Sequence, residues 1–355
     1  MTTATLPAAT TERPTNQAST APRRAVEFEL PPALEAHEPI EARGGKRDEV
    51  RLLVSRRADD SFEHTQFTSL PRLLAPGDLV VVNDSGTLPA ALVGTRADGS
   101  TVALHFSTQL DEAIWVIEPR KIAGRRGELI DLPGGGQVRL IARFEDSMRL
   151  WVATVHVSAD VHSYLARWGQ PIRYPYVPNE WPIELYQTIF ARRPGSAEMP
   201  SAGRAFSQRI VEALDARGVS IAPITLHTGV ASLESHESPY AEWYEVTEET
   251  ARAVNTTRAR GGLVLAVGTT VLRSLESTVE AGLVLPSSGW TDLVITPDRP
   301  ITTADAFLTG LHEPEASHLD MLEAFAGAKH VRAAYRAALE GSYRWHEFGD
   351  LHVIF

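Results

Sequence analysis

The apolar positions of this chain change texture three times. Residues 1–25 hold Ala, Thr, Pro and Ser with no apolar period, the composition of a disordered tail, and the fold is expected to start near Val26. Glu49–Ser55 reads as a strand, Leu70–Leu74 as a short helix stopped by Pro76-Gly77, and Asp78–Asn83 as a continuous apolar run suited to a buried strand. Short β-rich runs follow at Val102–Phe106, Ala113–Ile117, Glu128–Leu132, Val138–Arg143 and Leu150–Val157. Asp98-Gly99, Gly124–Gly127 and Gly134–Gly136 separate them. Strands at this spacing with no helix between them predict a small antiparallel barrel.

Helical periodicity returns at Ala159–Trp168, Ile183–Ala191, Ser207–Arg217, Glu248–Arg260, Val271–Ala281, Ser317–Ala326 and Val331–Glu340. Strand-like runs alternate with these at Val219–Leu226, Leu263–Val267, Asp292–Ile295, Ala304–Thr309 and Leu351–Phe355. Such alternation argues for a mixed or parallel sheet with helices packed on it. The predicted fold class is therefore α/β, with residues 26–84 and 159–355 forming one domain and 85–158 an inserted antiparallel β-barrel.

Composition narrows the chemistry. Hydrophobic residues make up 43% and charged residues 22% of the 355, an ordinary globular balance. There is no cysteine, which excludes disulfides, Cys-based zinc sites and a thiolate nucleophile, and suits a reducing cytoplasm. No apolar run approaches the roughly 18–20 residues that span a bilayer, so no membrane partner is expected. The N-terminus lacks the basic start and apolar stretch of a secretory signal. A formal charge of −11 weighs against gripping a polyanion, although a local basic patch can suffice. There is no GxGxxG, phosphate-loop or GxSxG motif, so dinucleotide, nucleoside-triphosphate and serine-hydrolase chemistries have no support.

Three stretches can carry chemistry. In residues 263–277 a buried strand runs into Gly268-Thr269-Thr270 and then a helix, aiming amides and hydroxyls beyond the strand end. Thr269, Arg273 and Glu276 share one face of that helix; an N-cap threonine followed by a surface Arg–Glu pair would look the same. The second stretch is Tyr186-Gln187-Thr188, followed by an irregular loop to Ser201 and Gly203, which either folds over a ligand or is a solvated connector. The third is Thr225–Gly229, where His227 at a strand end is a candidate acid or base, or a structural histidine. His312, Glu315 and His318 lack a recognisable metal spacing, and no metal is expected. The aromatic run Arg344–Asp350 reads as a seal on the core beside the last strand.

Together the segments Asn83-Asp84…Pro89, Tyr186–Thr188, Pro200–Gly203, Thr225–Gly229, Ala266–Ser277, Gly289–Leu293, Ala324–Gly327 and Tyr343…Asp350 resemble the S-adenosylmethionine:tRNA ribosyltransferase-isomerases of queuosine biosynthesis. The resemblance spans about residues 48–355. It implies S-adenosylmethionine as co-substrate and ribosyl donor. It also implies transfer to a 7-aminomethyl-7-deazaguanine in tRNA, forming epoxyqueuosine and releasing adenine and methionine.

By this resemblance His227, Arg273, Glu276 and His312 are candidate catalytic residues, with Arg273 available to a carboxylate. Tyr186, Gln187, Thr188, Ser201, Gly203, Gly229, Gly268, Thr269, Thr270 and Asp292 are candidate binding residues. The expected partners are S-adenosylmethionine and tRNA, and the expected state a monomer or weak homo-oligomer. Arg120, Lys121, Arg125 and Arg126 in the barrel, with Arg192, Arg193, Arg204 and Arg209, are candidate phosphate contacts.

Departures from the family pattern are concentrated. Gly86 and Ala91 stand where the family has arginines, Ala205 and Tyr240 where it has histidines, Ala241 for a serine and Gly310 for an asparagine. Ala231, Ser232 and Leu233 also differ from it. Several polar losses around an intact Gly-Thr-Thr segment suggest a changed acceptor pocket, so three readings stay open. These are transfer to tRNA, use of S-adenosylmethionine with a small acceptor or none, and a binding protein without turnover.

Overall fold

The computed structural model describes residues 26–145, 147–230, 240–314 and 316–355. The predicted tail 1–25, the changed residues Ala231–Leu233 and Glu315 lie outside them. Among the described residues, nine strands form one sheet. Across it they run Ser287–Thr291, Glu242–Val246, Ser220–Leu226, Leu79–Asn83, Val264–Val267, Ala306–Gly310, Leu351–Ile354, Arg51–Arg56 and Ser61–Gln66. The pairings from Ser220–Leu226 through Ala306–Gly310 are parallel, as is that of Leu351–Ile354 with Arg51–Arg56. The others are antiparallel.

The central strands read as continuous apolar runs because both of their faces are covered. Val80, Val82, Leu265 and Val267 pack into one core, while Leu79, Val81, Val264 and Ala266 pack into another on the opposite face. Alternate residues of a strand thus serve separate layers. Six strands between Ala91 and His156 close into an antiparallel barrel with its own core around Phe106, Trp115, Ile117 and Leu140. The expected α/β class with a small barrel is the fold observed.

Local boundaries differ in three places. The helix expected over Ile183–Ala191 is a single 3-10 turn, Ile183–Tyr186. The chain then extends because Arg192 and Arg193 donate their amides to the Asp84 carbonyl and Arg193–Ser196 pairs with Ser85–Thr87. The helix expected over Val271–Ala281 spans Thr269–Glu276, and a short hairpin at Val279–Val284 replaces its last turn. Asp292–Ile295 is not a strand: the strand is Ser287–Thr291, which zips against Glu242–Val246. Sequence periodicity also missed Ser61–Gln66 and Glu242–Val246, short strands with many polar residues.

Candidate functional site

The parallel strands Leu79–Asn83, Ser220–Leu226, Val264–Val267 and Ala306–Gly310 end on one edge of the sheet, where ligands of open α/β sheets usually bind. A cavity of about 470 Å³ opens at this edge, in the size range of small-molecule sites. The barrel closes it from one side through Ser107, Thr108, Phe144 and Leu150.

One wall is made of strand ends. Asn83 knits it: its amide donates to the Leu226 carbonyl at 2.9 Å and reaches Thr270 Oγ1 at 3.2 Å, while its oxygen accepts from the Ser85 and Leu226 amides. Gly268 sits at φ 88° and ψ 159°, a conformation essentially reserved for glycine, and turns the strand into the helix. That turn brings Gly268, Thr269, Thr270 and Arg273 onto the cavity. Gly229 lines it too, and an added Cβ there would meet Ser107 Oγ at 2.8 Å, so the loop and the barrel touch closely.

Arg273 is not paired with Glu276. Its guanidinium forms an ion pair with Glu242 and donates to the Leu293 and Thr291 carbonyls. Glu242 in turn accepts from the Gly229 amide at 2.8 Å. Three of the five N–H donors of Arg273 are thus used inside the protein, while the residue still lines the cavity. Glu276 turns away from the cavity, and one of its oxygens accepts from the Thr302 amide and from the Thr303 amide and hydroxyl. Helical spacing put the two residues on one face, but their tertiary neighbours pull them apart.

His227 does not line the cavity, although Thr228 and Gly229 do. Its Nδ1 lies 2.8 Å from Ser85 Oγ, its ring stacks on Trp243, and Gly195 leaves it room. Burial first, then the Arg193 charge, lowers it to about 4. His312 does line the cavity, with Nε2 at 2.8 Å from Thr309 Oγ1 and its ring stacked on His318. Burial and the neighbouring histidines hold it well below the usual range, so it is neutral.

Among the predicted binding residues, Tyr186 and Ser201 also face the cavity. Gln187 instead clamps the backbone of Thr87 with both ends of its amide. Thr188 is buried against Gly203, and Asp292 is exposed and away from the cavity.

The other wall is built from loops that sequence reasoning missed. Tyr174, Tyr176, Glu198, His346 and Glu347 converge on the cavity. The expected aromatic seal at Arg344–Asp350 is present in Trp345 and Phe348, which are buried, while the two residues between them turn to the cavity. The only signal in the sequence was a charged pair inside an aromatic run.

Four of the eight candidate phosphate contacts are engaged within the protein. Arg120 bonds Glu118, Arg193 pairs with Glu245, Arg204 is buried on Glu41, and Arg209 holds both oxygens of Asp48. Lys121, Arg125, Arg126 and Arg192 are exposed. Among the described residues, no helix is long and apolar enough to cross a membrane.

The model of the queuosine biosynthesis protein family matches residues 24–354. The chain belongs to this family. It is 36% identical over 342 residues to the S-adenosylmethionine:tRNA ribosyltransferase-isomerase of Moorella thermoacetica, covering 92% of this chain and 98% of that protein. The enzyme of the same name from Stenotrophomonas maltophilia is 35% identical over 340 residues, covering 92% and 97%. A crystal structure of the S-adenosylmethionine tRNA ribosyltransferase of Thermotoga maritima aligns with a TM-score of 0.54 and 30% identity, covering 93% of this chain and all of that one.

Proposed function

We propose that this protein is a transferase-isomerase that uses S-adenosylmethionine as a ribosyl donor and a 7-aminomethyl-7-deazaguanine in tRNA as acceptor. The observation that carries the reading is the Gly268–Thr270 turn opening onto a cavity of about 470 Å³ at the ends of the parallel strands. In a family of this activity, that turn is the part of the cavity suited to the donor's polar groups.

The chemistry needs a base. The sulfonium acidifies the adjacent ribose carbon, and loss of that proton opens the ring and expels adenine. The acceptor amine then attacks, and a new ring closes as methionine leaves. His312 is placed for the first proton transfer, because it lines the cavity and its neutral imidazole has a ring nitrogen free of a proton. Glu242 is less suited, since its carboxylate oxygens are engaged by the Arg273 guanidinium and the Gly229 amide. Its part is to hold Arg273 and the Gly229 amide in place.

Incubating the protein with S-adenosylmethionine and deazaguanine-bearing tRNA should release adenine and methionine and yield modified RNA, read by mass spectrometry. His312→Gln should abolish adenine release while S-adenosylhomocysteine still binds. Adenine release at the parent rate in that variant would remove His312 from the reaction. A second reading, with a small acceptor, is favoured by the internal pairing of Arg120, Arg193, Arg204 and Arg209. It is supported if turnover with a free acceptor is insensitive to salt and survives Arg125→Ala with Arg126→Ala.

A further inference from the structure

We propose that the loop-built wall, where Tyr176 meets Glu347 beside Tyr174 and Glu198, is the acceptor subsite and selects a flat ring carrying a protonated amine. The inference rests on the ribosyl-transfer reading above and assigns its second substrate to residues.

Three rings stand in a stack along this wall. Tyr174 and Tyr176 are 5.7 Å apart with planes at 18°, and Tyr176 and His346 are 3.8 Å apart at 10°. His346 holds this position at φ 75°, a left-handed backbone that a non-glycine residue adopts at a cost. Its side chain is only 3% exposed, with Nδ1 at 3.2 Å from Glu313 and Nε2 at 3.6 Å from Glu35. The surroundings thus keep a strained residue in place to complete an aromatic surface, which is a platform for another flat ring.

Each tyrosine hydroxyl donates to a carboxylate at the cavity: Tyr174 to Glu198, and Tyr176 to Glu347 at 2.6 Å. A hydroxyl satisfies only part of what a carboxylate accepts. Among the described residues, no lysine or arginine forms an ion pair with Glu347. The nearby arginines are used elsewhere: Arg204 by Glu41 and the Leu185 carbonyl, and Arg173 by the carbonyls of Val177 and Pro178. Burial holds the Glu347 carboxyl above its ordinary range, against the opposing pull of the Tyr176 hydroxyl and the neighbouring His346. An ammonium supplies the missing charge and donors, whereas an anion is repelled and an apolar group leaves the carboxylate unsatisfied. Such a ring can arrive free or be presented by RNA, and its chemistry at the wall is the same.

The test is calorimetric binding of 7-aminomethyl-7-deazaguanine and of its 7-methyl counterpart to the full chain, with S-adenosylhomocysteine titrated separately. The same pair of bases is also presented in an anticodon stem-loop. The amine-bearing form should bind at least tenfold tighter than the methyl form in one arm or both, and the arm that shows it identifies the source. Glu347→Gln keeps an acceptor for the Tyr176 hydroxyl, and should bring that ratio close to one while S-adenosylhomocysteine binds as before. A merely structural role would leave the ratio intact. Equal affinities in both arms, an unchanged ratio in Glu347→Gln, or loss of S-adenosylhomocysteine binding in that variant would overturn the assignment. Failure of the parent protein to bind S-adenosylhomocysteine would instead count against the donor reading, with the amine ratio still measurable.

Discussion

The two walls of the cavity are built on different principles. The strand-end wall is held by backbone geometry and short-range bonds: Asn83 ties neighbouring strands, Gly268 makes the turn, and Glu242 closes on Arg273 and Gly229. The loop wall is held by side chains far apart in the chain, such as Tyr176 and Glu347, separated by 171 positions. The first carries the Gly268–Thr270 turn through which the chain resembles the family, and Tyr174, Tyr176 and Glu198 of the second lie outside the segments that carry that resemblance. A rigid scaffold that fixes one substrate leaves the loops opposite free to set the other.

The largest effect is expected on removing Arg273. In Arg273→Met the Glu242 carboxylate, 15% exposed, loses its cation, and breaking such a pair costs about 3–5 kcal/mol. Urea denaturation should show that loss, and S-adenosylhomocysteine binding should fall with it. Adding Glu242→Leu should recover part of the stability, since no charge is then left alone. A single variant as stable as the parent would mean that the ion pair does not organise the wall.

Gly268→Ala comes next. The residue must adopt φ 88°, ψ 159° with a Cβ at 3.4 Å from that of Ala202, so a cost of about 1–3 kcal/mol is expected in stability. Donor affinity should drop as well, while the amine selectivity of the loop wall stays. If both fall together, the walls are not independent.

Acid probes the strand-end wall through His227. Its folded value of about 4 lies below the unfolded 6.5, so the folded state binds fewer protons between the two. The associated stability is complete above pH 6.5 and is lost as pH falls toward 4. At pH 5 the loss is at most about 2 kcal/mol, from 1.36 kcal/mol per unit. His227→Gln should flatten that part of the pH–stability curve, and an unaltered curve would show that His227 does not contribute.

The smallest effect is expected at Glu276. Glu276→Gln keeps an oxygen for Thr302 and Thr303 but weakens charge-assisted bonds, at about 1 kcal/mol of stability. S-adenosylhomocysteine affinity and adenine release should not change. A loss of turnover without loss of stability would return Glu276 to the active site.

What could be read from the sequence follows from what is local. The buried strand Leu79–Asn83, the Gly268–Thr270 turn and the barrel runs are contiguous segments, and their patterns of apolar residues and glycines report backbone geometry directly. Contiguity also explains the errors. The spacing of Arg273 and Glu276 fixed a helix face, but Glu242 and Thr302–Thr303, which decide where each carries its charge, come from elsewhere in the chain. Ile183–Ala191 and Asp292–Ile295 were misread because pairing with Ser85–Thr87 and the position of Glu242–Val246 overrode local preference. The loop wall lay wholly beyond periodicity. Tyr174, Glu198, His346 and Glu347 occupy irregular segments, and only the packing of the barrel and sheet brings them around one cavity. A hydrogen bond across 171 residues has no period. Sequence thus determined the elements and the donor-side turn, while the environment of each charge belonged to tertiary structure, because burial and partners are set by residues distant in the chain.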